Sequence, residues 1–316
     1  DKYCLSPHLP RSKWKELGAL VIAAEKDSAS FKDLRAANSK WLVLRLDGCG
    51  FGKLVKSCRR LKVFPEKGHA RCMAEIMEEC SRSLIRRFPA SFVYTHSDEI
   101  TMAIPPPDAS LGNSHPYNGR IMKLCSIASS VVTFTFTTSI IDRFRSKGIS
   151  LGCMFEELPE ILFDCRIGSY SREAGLSVFL WRYASCSTNC LSDAVYYCIG
   201  DKDKADAAQM MRKDSIQKLQ WLLKHDLLPL SPRQEHGSFL CKIEKELEGF
   251  NPKTQEKVKY TRKVIAARSC NIISEFIAGT LLPSSVYTPG DASAKKSFRN
   301  QPRENRRKEK RPRKFS

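Results

Sequence analysis

Three observations predict an α+β fold built on a βαββαβ unit. A continuous apolar run ends on an aspartate; two short apolar runs are separated only by Ser-Asp-Glu; and two long stretches with helical apolar spacing divide these runs. The first element is Trp41-Leu-Val-Leu-Arg-Leu46, broken only by Arg45, the pattern of a central strand. It stops at Asp47-Gly48-Cys49-Gly50-Phe51-Gly52, where three glycines in five residues demand backbone freedom. Glu66–Arg87 then carries Met73, Ile76, Met77, Cys80 and Leu84 along one helical face. Ser91–His96 and Ile100–Ile104 read as two short strands around Ser97-Asp98-Glu99, and Pro105–Pro107 end the second. From Asn118, the residues Ile121, Leu124, Cys125, Ala128, Val131 and Val132 form a second helical stripe, with Arg120 and Lys123 three apart near its start. A short strand at Glu160–Phe163 leads to Asp164-Cys165-Arg166. In this order the elements make a ferredoxin-like layout, an antiparallel sheet with helices on one face.

The flanks divide simply. Residues 1–29 are a lead-in with a short helix expected near Trp14–Glu25, 30–170 hold the βαββαβ catalytic domain, and 171–283 add helices and strands to the same unit. Ser177–Ile199 and Ala205–Leu228 read as helical, whereas Phe239–Ile243 and Val258–Ala267 read as strands with alternating cations. Residues 284–316 are expected to be a disordered basic tail, since the last 26 lack any periodic apolar pattern.

The net charge of +19 is uneven: residues 291–316 carry eleven Lys or Arg against Asp291, Glu304 and Glu309, which leaves +11 on the rest. A basic body under a basic tail points to a polyanion, because counterion release drives such surfaces onto phosphate backbones. Thirteen cysteines without any CxxC, most of them in apolar segments, argue against a disulfide scaffold and for a reducing intracellular compartment. Cytoplasm or nucleus fits best, with the mitochondrion as a further reading, because the chain begins at Asp1 and a targeting segment is not judged. Cys186 and Cys190 share a helical face, yet nothing nearby completes a zinc set, so they are assigned to the core. Ile127–Ile141, 15 residues rich in Ser and Thr, is too short and too polar for a membrane span, and no membrane partner is expected.

The chemistry sits in the carboxylates. Asp47 ends a rigid strand, and the glycine-rich loop after it leaves N–H groups free to hold an anion. The loop is no Walker A motif, for no Gly-Lys-Ser/Thr follows, and no dinucleotide fingerprint, for no helix is expected to open directly on it. Ser97-Asp98-Glu99 breaks the preference of tight hairpins for Asn-Gly or Asp-Gly, a departure that marks function. In a βαββαβ sheet the first strand lies beside this hairpin, so Asp47 and the Asp98-Glu99 turn converge. Two carboxylates and a backbone carbonyl suit Mg²⁺. Two such ions clamp the attacking and leaving oxygens of a phosphoryl transfer. The glycine loop would then bind a triphosphate whose charge Arg120 and Lys123 neutralise. This is a polymerase-type palm arrangement. Among the other candidates, His96 is expected to be structural, His69 and His225 to lie on the surface, and Phe134 and Phe136 to be core.

Asp47-Gly48-x-Gly50-Phe51, Ser97-Asp98-Glu99, Phe163-Asp164-x-Arg166 and Trp181-Arg182-x-Ala184-x-Cys186 follow the order and approximate spacing of the tRNA-His guanylyltransferases. The resemblance runs over roughly residues 30–277, through His236-Gly237 and Cys270-Asn271-Ile272-Ile273. It implies a palm fold and addition of guanosine to a tRNA 5′ end in the 3′-to-5′ direction: ATP activates the 5′ phosphate, and the 3′-hydroxyl of GTP attacks it. By the same resemblance Asp47, the Gly48 carbonyl and Asp98 ligate two Mg²⁺ ions, with Glu99 supporting them as a third catalytic carboxylate. Asp47, Gly48, Cys49, Gly50, Phe51, Gly52, Ser97 and Asp98 hold nucleotide. Arg120 and Lys123 match positions near a triphosphate-binding Arg/Lys pair. Asn189 is assigned to tRNA, as are Lys295, Lys296, Arg306 and Arg307 of the tail, and a homo-oligomer, dimer or tetramer, is implied.

The sequence departs from that pattern at several places. Cys49 replaces an Arg, Gly52 a His, and the Lys before the proline is absent from Phe64-Pro65, Lys62 standing two places earlier. The family's His-Ile-Asn-Asn-Leu-Tyr-Asn stretch reads Ser187-Thr-Asn-Cys-Leu-Ser-Asp193, keeping Asn189 and Leu191. Two other readings therefore stand beside tRNA-His guanylylation: 5′-end repair or editing of other tRNAs, and a non-catalytic RNA-binding protein on a decayed palm.

Overall fold

A computed structural model describes residues 11–29, 34–65, 69–199, 204–251 and 255–272. The basic tail, with Lys295, Lys296, Arg306 and Arg307, lies outside the described residues, as does Glu66 at the expected helix start. After the helix α1 (Arg11–Ala29) come β1 (Trp41–Gly48), α2 (Phe51–Arg60), α3 (His69–Arg87), β2 (Phe92–His96) and β3 (Glu99–Ile104). Then follow α4 (Ile121–Ser146), α5 (Leu151–Glu157), β4 (Phe163–Tyr170) and α6 (Arg172–Ile199). The described residues end with α7 (Lys204–Met211), α8 (Ser215–Lys224), α9 (Pro232–His236), β5 (Ser238–Asn251) and β6 (Glu256–Arg268).

One antiparallel sheet runs β4-β1-β3-β2-β5-β6, and its first four strands have the ferredoxin-like order. β1 is central because its apolar residues are inward on both faces: Leu42, Leu44 and Leu46 point one way, Val43 the other, all nearly fully buried. Leu42, Leu44 and Leu46 pack with Phe51, Leu54, Met77, Leu84 and the α4 stripe Leu124, Ala128, Val132, Phe136 and Ile140. Val43, Phe92, Tyr94 and Tyr170 pack with Val178, Phe179 and Tyr183 of α6 and with Val21 of α1. The sheet is thus covered on both faces. The one-face expectation fails because α6 carries its own apolar stripe and lies across the second face.

Several element boundaries differ from expectation for identifiable reasons. α2 opens directly on the glycine loop, since Gly50 takes φ 71° and turns the chain into the helix. β4 starts at Phe163, where the expected strand ended, because Phe163 is the residue that pairs with Gly48. Asn118 is not helical: it and Tyr117 both have positive φ in a 3₁₀ turn ahead of α4. The helical stretch 205–228 splits where Asp214 forms a capping box with Gln217 and begins α8. Phe136 is buried but Phe134 is 71% exposed, so only one of the pair is core. By length and composition α4 could cross a bilayer, and seven of its residues are buried in this fold.

His115, 1% exposed, anchors the segment before β1: its Nε2 lies 3.0 Å from the Lys40 carbonyl. Burial holds its pKa below the usual histidine value. The unfolded chain then binds the proton that the folded chain refuses, so stability falls as pH drops below about 6.5. Urea midpoints of the wild type are expected to decline between pH 7.5 and 5.5, at no more than about 1.4 kcal/mol per pH unit from this group. His115→Gln should flatten the decline; an unchanged slope removes His115 as its source.

Candidate active site

Antiparallel pairing sets Asp47 directly opposite Glu99 on one side and Asp164 on the other. Opposed residues share a face, with Cβ atoms about 5 Å apart, so three carboxylates meet at the end of the sheet. Asp98 joins them from the turn between β2 and β3, and its carbonyl accepts from the Gly48 N–H at 3.1 Å. Ser97 adopts φ 54°, a left-handed conformation that favours glycine, and this brings the turn round in two residues. Burial raises the pKa of Asp47 and of Asp98; the Asp164 charge adds to it at Asp47, and the Asp47 charge at Asp98. Burial likewise raises Glu99, against the Arg182 guanidinium of α6.

Arg182 forms an ion pair with Glu99 and packs its guanidinium against the Trp181 ring, centroid at 4.8 Å. It also lowers the pKa values of Asp47 and Asp98, which makes it a counter-ion shared by the cluster. On the same face Arg45 lies 4.7 Å from the Trp181 ring. His96 is half-buried and hydrogen-bonded to the Gln234 backbone, and the surrounding protein drives its pKa down to about 4.

The glycine loop supplies the opposite polarity. Gly48 and Cys49 spend their N–H groups on Asp98 and Leu162 carbonyls. The Phe51 and Gly52 N–H groups that open α2 have no carbonyl a turn earlier in the helix, Lys53 N–H donates to the Gly50 carbonyl at 3.0 Å, and Gly50 caps without a side-chain bond. Such an end attracts phosphate. A Cβ at Gly48 would come 2.4 Å from the Phe51 ring, which stacks edge-on with Phe136 and Phe163. Gly48→Ala must therefore displace Phe51 and the start of α2. A loss of about 1–3 kcal/mol in chemical denaturation is expected from the overpacking, together with weaker triphosphate binding. An alanine variant as stable as the wild type would show that the ring is free to move.

Arg120 and Lys123 are not brought to this site within one chain. β3 runs away from the carboxylates, and Arg120 pairs with Arg35 ahead of β1, at the far end of the sheet. Six residues of β1 separate the two ends, about 20 Å at strand rise. There Lys123 and Arg87 lie over the Tyr117 ring.

Asn189 is exposed on α6 and lines a pocket of about 240 Å³ together with Ser97, Asp98, Glu99, Arg182, Ser192 and Asp193. Ser187 is buried and donates to carbonyls of its own helix. Cys186 and Cys190 are buried, in keeping with a core role, and His225 is exposed, stacked on Trp221. Sequence reasoning did not assign Asp164, Arg182 or Asp193 to the site. Asp164 and Arg182 stood in quoted motifs, and Asp193 closed the quoted stretch that departs from the family pattern, where it replaces an Asn.

A family profile described as tRNAHis guanylyltransferase matches residues 26–171, the span from α1 through β4. That span is a little under half of the chain, so the similarity to the family is one of its first half. Among solved structures, a bacterial tRNA(His) guanylyltransferase-like protein in complex with ATP aligns at TM-score 0.56 and 17% identity, covering 84% of this chain and 98% of that one. The same kind of bacterial protein in complex with GTP gives 0.55 and 19%, with the same coverage. The tRNA(His) guanylyltransferase of Saccharomyces cerevisiae gives 0.52 and 16%, covering 68% of this chain and 90% of that one. At these identities the likeness concerns the fold. Comparison with curated proteins gives no significant match.

Proposed function

We propose that this chain is a nucleotidyltransferase of the tRNA-His guanylyltransferase kind, which activates the 5′ phosphate of a tRNA with ATP and then joins GMP from GTP to it in the 3′-to-5′ direction. The observation that carries the reading is the convergence of Asp47 and Asp98 beside the open end of α2. The residues fit a divalent metal: the carboxylates repel one another, and Asp164 Oδ1 is buried without a hydrogen bond. Among the described residues no group of three or more His, Cys, Asp or Glu side chains stands at ligand spacing. Two carboxylates with the Gly48 carbonyl, completed by waters and substrate phosphates, is the set that Mg²⁺ accepts. Bound there, Mg²⁺ would neutralise charge on the transferring phosphoryl group.

The chain's own groups do the positioning. The first N–H groups of α2 hold the triphosphate, and the backbone bond between Gly48 and Asp98 locks β1 to the turn. Arg182 keeps Glu99 ionised and oriented.

A second reading, repair of 5′-truncated tRNAs, is favoured by Ser187, whose hydroxyl is turned into its own helix where the family pattern has a His. Labelled, 5′-monophosphorylated tRNA-His lacking its extra guanosine is incubated with ATP, GTP and Mg²⁺, alongside 5′-truncated tRNAs. Extension of the first substrate by wild type but not by Asp98→Ala supports guanylylation. Extension of truncated tRNAs alone selects repair. Identical behaviour of both proteins on all substrates leaves a non-catalytic RNA binder.

The tail is proposed to tether tRNA through its cations, including Lys295, Lys296, Arg306 and Arg307. Deleting residues 291–316 should weaken tRNA binding and make it less salt-dependent. Equal affinity across a salt series would dismiss the tether.

A further inference from the structure

The pocket beside the carboxylates has a wall that the reaction above does not use. Cys186, Asn189 and Asp193 succeed one another along one face of α6, opposite the Ser97–Glu99 turn, and Met211 of α7 closes the side. At about 240 Å³ it is smaller than the roughly 300–1,000 Å³ of pockets that enclose a whole drug-sized ligand. It suits a single ring system held against the Ser97–Glu99 turn.

The polar groups of this wall form a directional pattern. Asp193 presents a carboxylate, an acceptor with two oxygens, and no described residue donates to it. Lys218, itself buried, donates from Nζ to Ser192 Oγ at 2.9 Å. With its oxygen so engaged, the Ser192 hydroxyl is free to turn its own proton toward the pocket. Asn189 offers an amide with both donor and acceptor ends.

We infer that this wall reads the base of the nucleotide, with Asp193 as the residue that selects guanine. The Watson–Crick edge of guanine carries two adjacent donors, N1–H and the N2 amino group, beside the O6 acceptor. A carboxylate takes both donors side by side, while the Ser192 hydroxyl or the Asn189 amide donates to O6. Adenine has an acceptor at N1 and cannot satisfy the carboxylate; xanthine replaces the N2 donor with an acceptor oxygen. The inference rests on the nucleotidyltransferase reading and names the substrate feature that its pocket distinguishes.

The test is binding rather than turnover. Dissociation constants for GTP and XTP are measured with the full chain in Ca²⁺, for the wild type and for Asp193→Asn. The wild type is expected to favour GTP by about tenfold or more, the scale of one good bidentate base contact. Asp193→Asn should reverse the order, since its amide donates to the xanthine O2 where the carboxylate repels it. A gain in XTP affinity cannot come from misfolding. An unchanged GTP-to-XTP ratio, including equal weakening of both as expected if Asp193 acted only on metal, overturns the guanine assignment and leaves the reaction intact. Failure of the wild type to bind either nucleotide overturns the assignment and the nucleotidyltransferase reading together.

Discussion

Asp98→Asn is expected to lower nucleotidyl transfer by at least about a thousandfold and, in the absence of metal, to raise the melting temperature. The first effect follows from the several kcal/mol that a metal supplies to a phosphoryl transition state, at about 1.4 kcal/mol per factor of ten. The second follows from the crowding of like charges. Asp98 is half-buried beside Asp47 and Asp193, each of which it pushes toward the protonated form or is pushed by. For such carboxylates the folded pKa lies above the unfolded one, so their ionisation works against folding once pH exceeds the unfolded value. An isosteric amide removes that repulsion and keeps the shape. About 1 kcal/mol of relief would raise the midpoint by roughly 2–4 °C in a chain of this size. Mg²⁺ should then stabilise the wild type but not the variant, because only the wild type gains from binding it. Thermal scans with and without Mg²⁺, paired with the activity assay, check both parts. A variant that melts lower than the wild type without metal would contradict the picture of a repulsive cluster awaiting a cation.

The second large effect belongs to Arg182→Met, which should destabilise the fold by about 2–4 kcal/mol and abolish most activity. Arg182 is 14% exposed as a side chain and pairs with Glu99, and removing one partner of a sheltered pair strands the other's charge. Methionine keeps most of the volume against Trp181, so the loss would report charge rather than packing. The double variant Arg182→Met/Glu99→Gln should regain most of the stability but not the activity. Denaturant titrations of the two singles and the double give the coupling energy directly. Additive losses would show that Arg182 is held by Trp181 alone.

How much of this was legible in the sequence differs from element to element. β1 announced itself because a central strand buries both faces, and Leu42 to Leu46 are apolar without alternation. The Ser97–Glu99 turn stood out because its residues oppose the local preference of a hairpin. α2 was missed because its opening glycines read as loop; the left-handed φ of Gly50 is what converts loop into helix. Arg120 and Lys123 lie next to the site in the resemblance, but α4 begins at the far end of the sheet, and chain order carries no information on which end that is. Arg182 and Asp193 reach the pocket only because a long helix crosses the second face, a long-range packing event with no local spacing to reveal it.

The ladder between β2 and β5 holds a mechanical consequence. β5 pairs with β2 only from Phe239–Tyr94 to its neighbours, four register pairs in all, while ten further residues of β5 run on with β6 as a two-stranded ribbon. At strand rise that ribbon extends about 30 Å past its footing, which is secured further by Arg82 donating to the Ile265 carbonyl. It is a lever with a short fulcrum. Its fulcrum is the strand that ends at His96, one residue before Ser97, so a load at the ribbon's tip is delivered as torque to the strand that leads into the Asp98 turn.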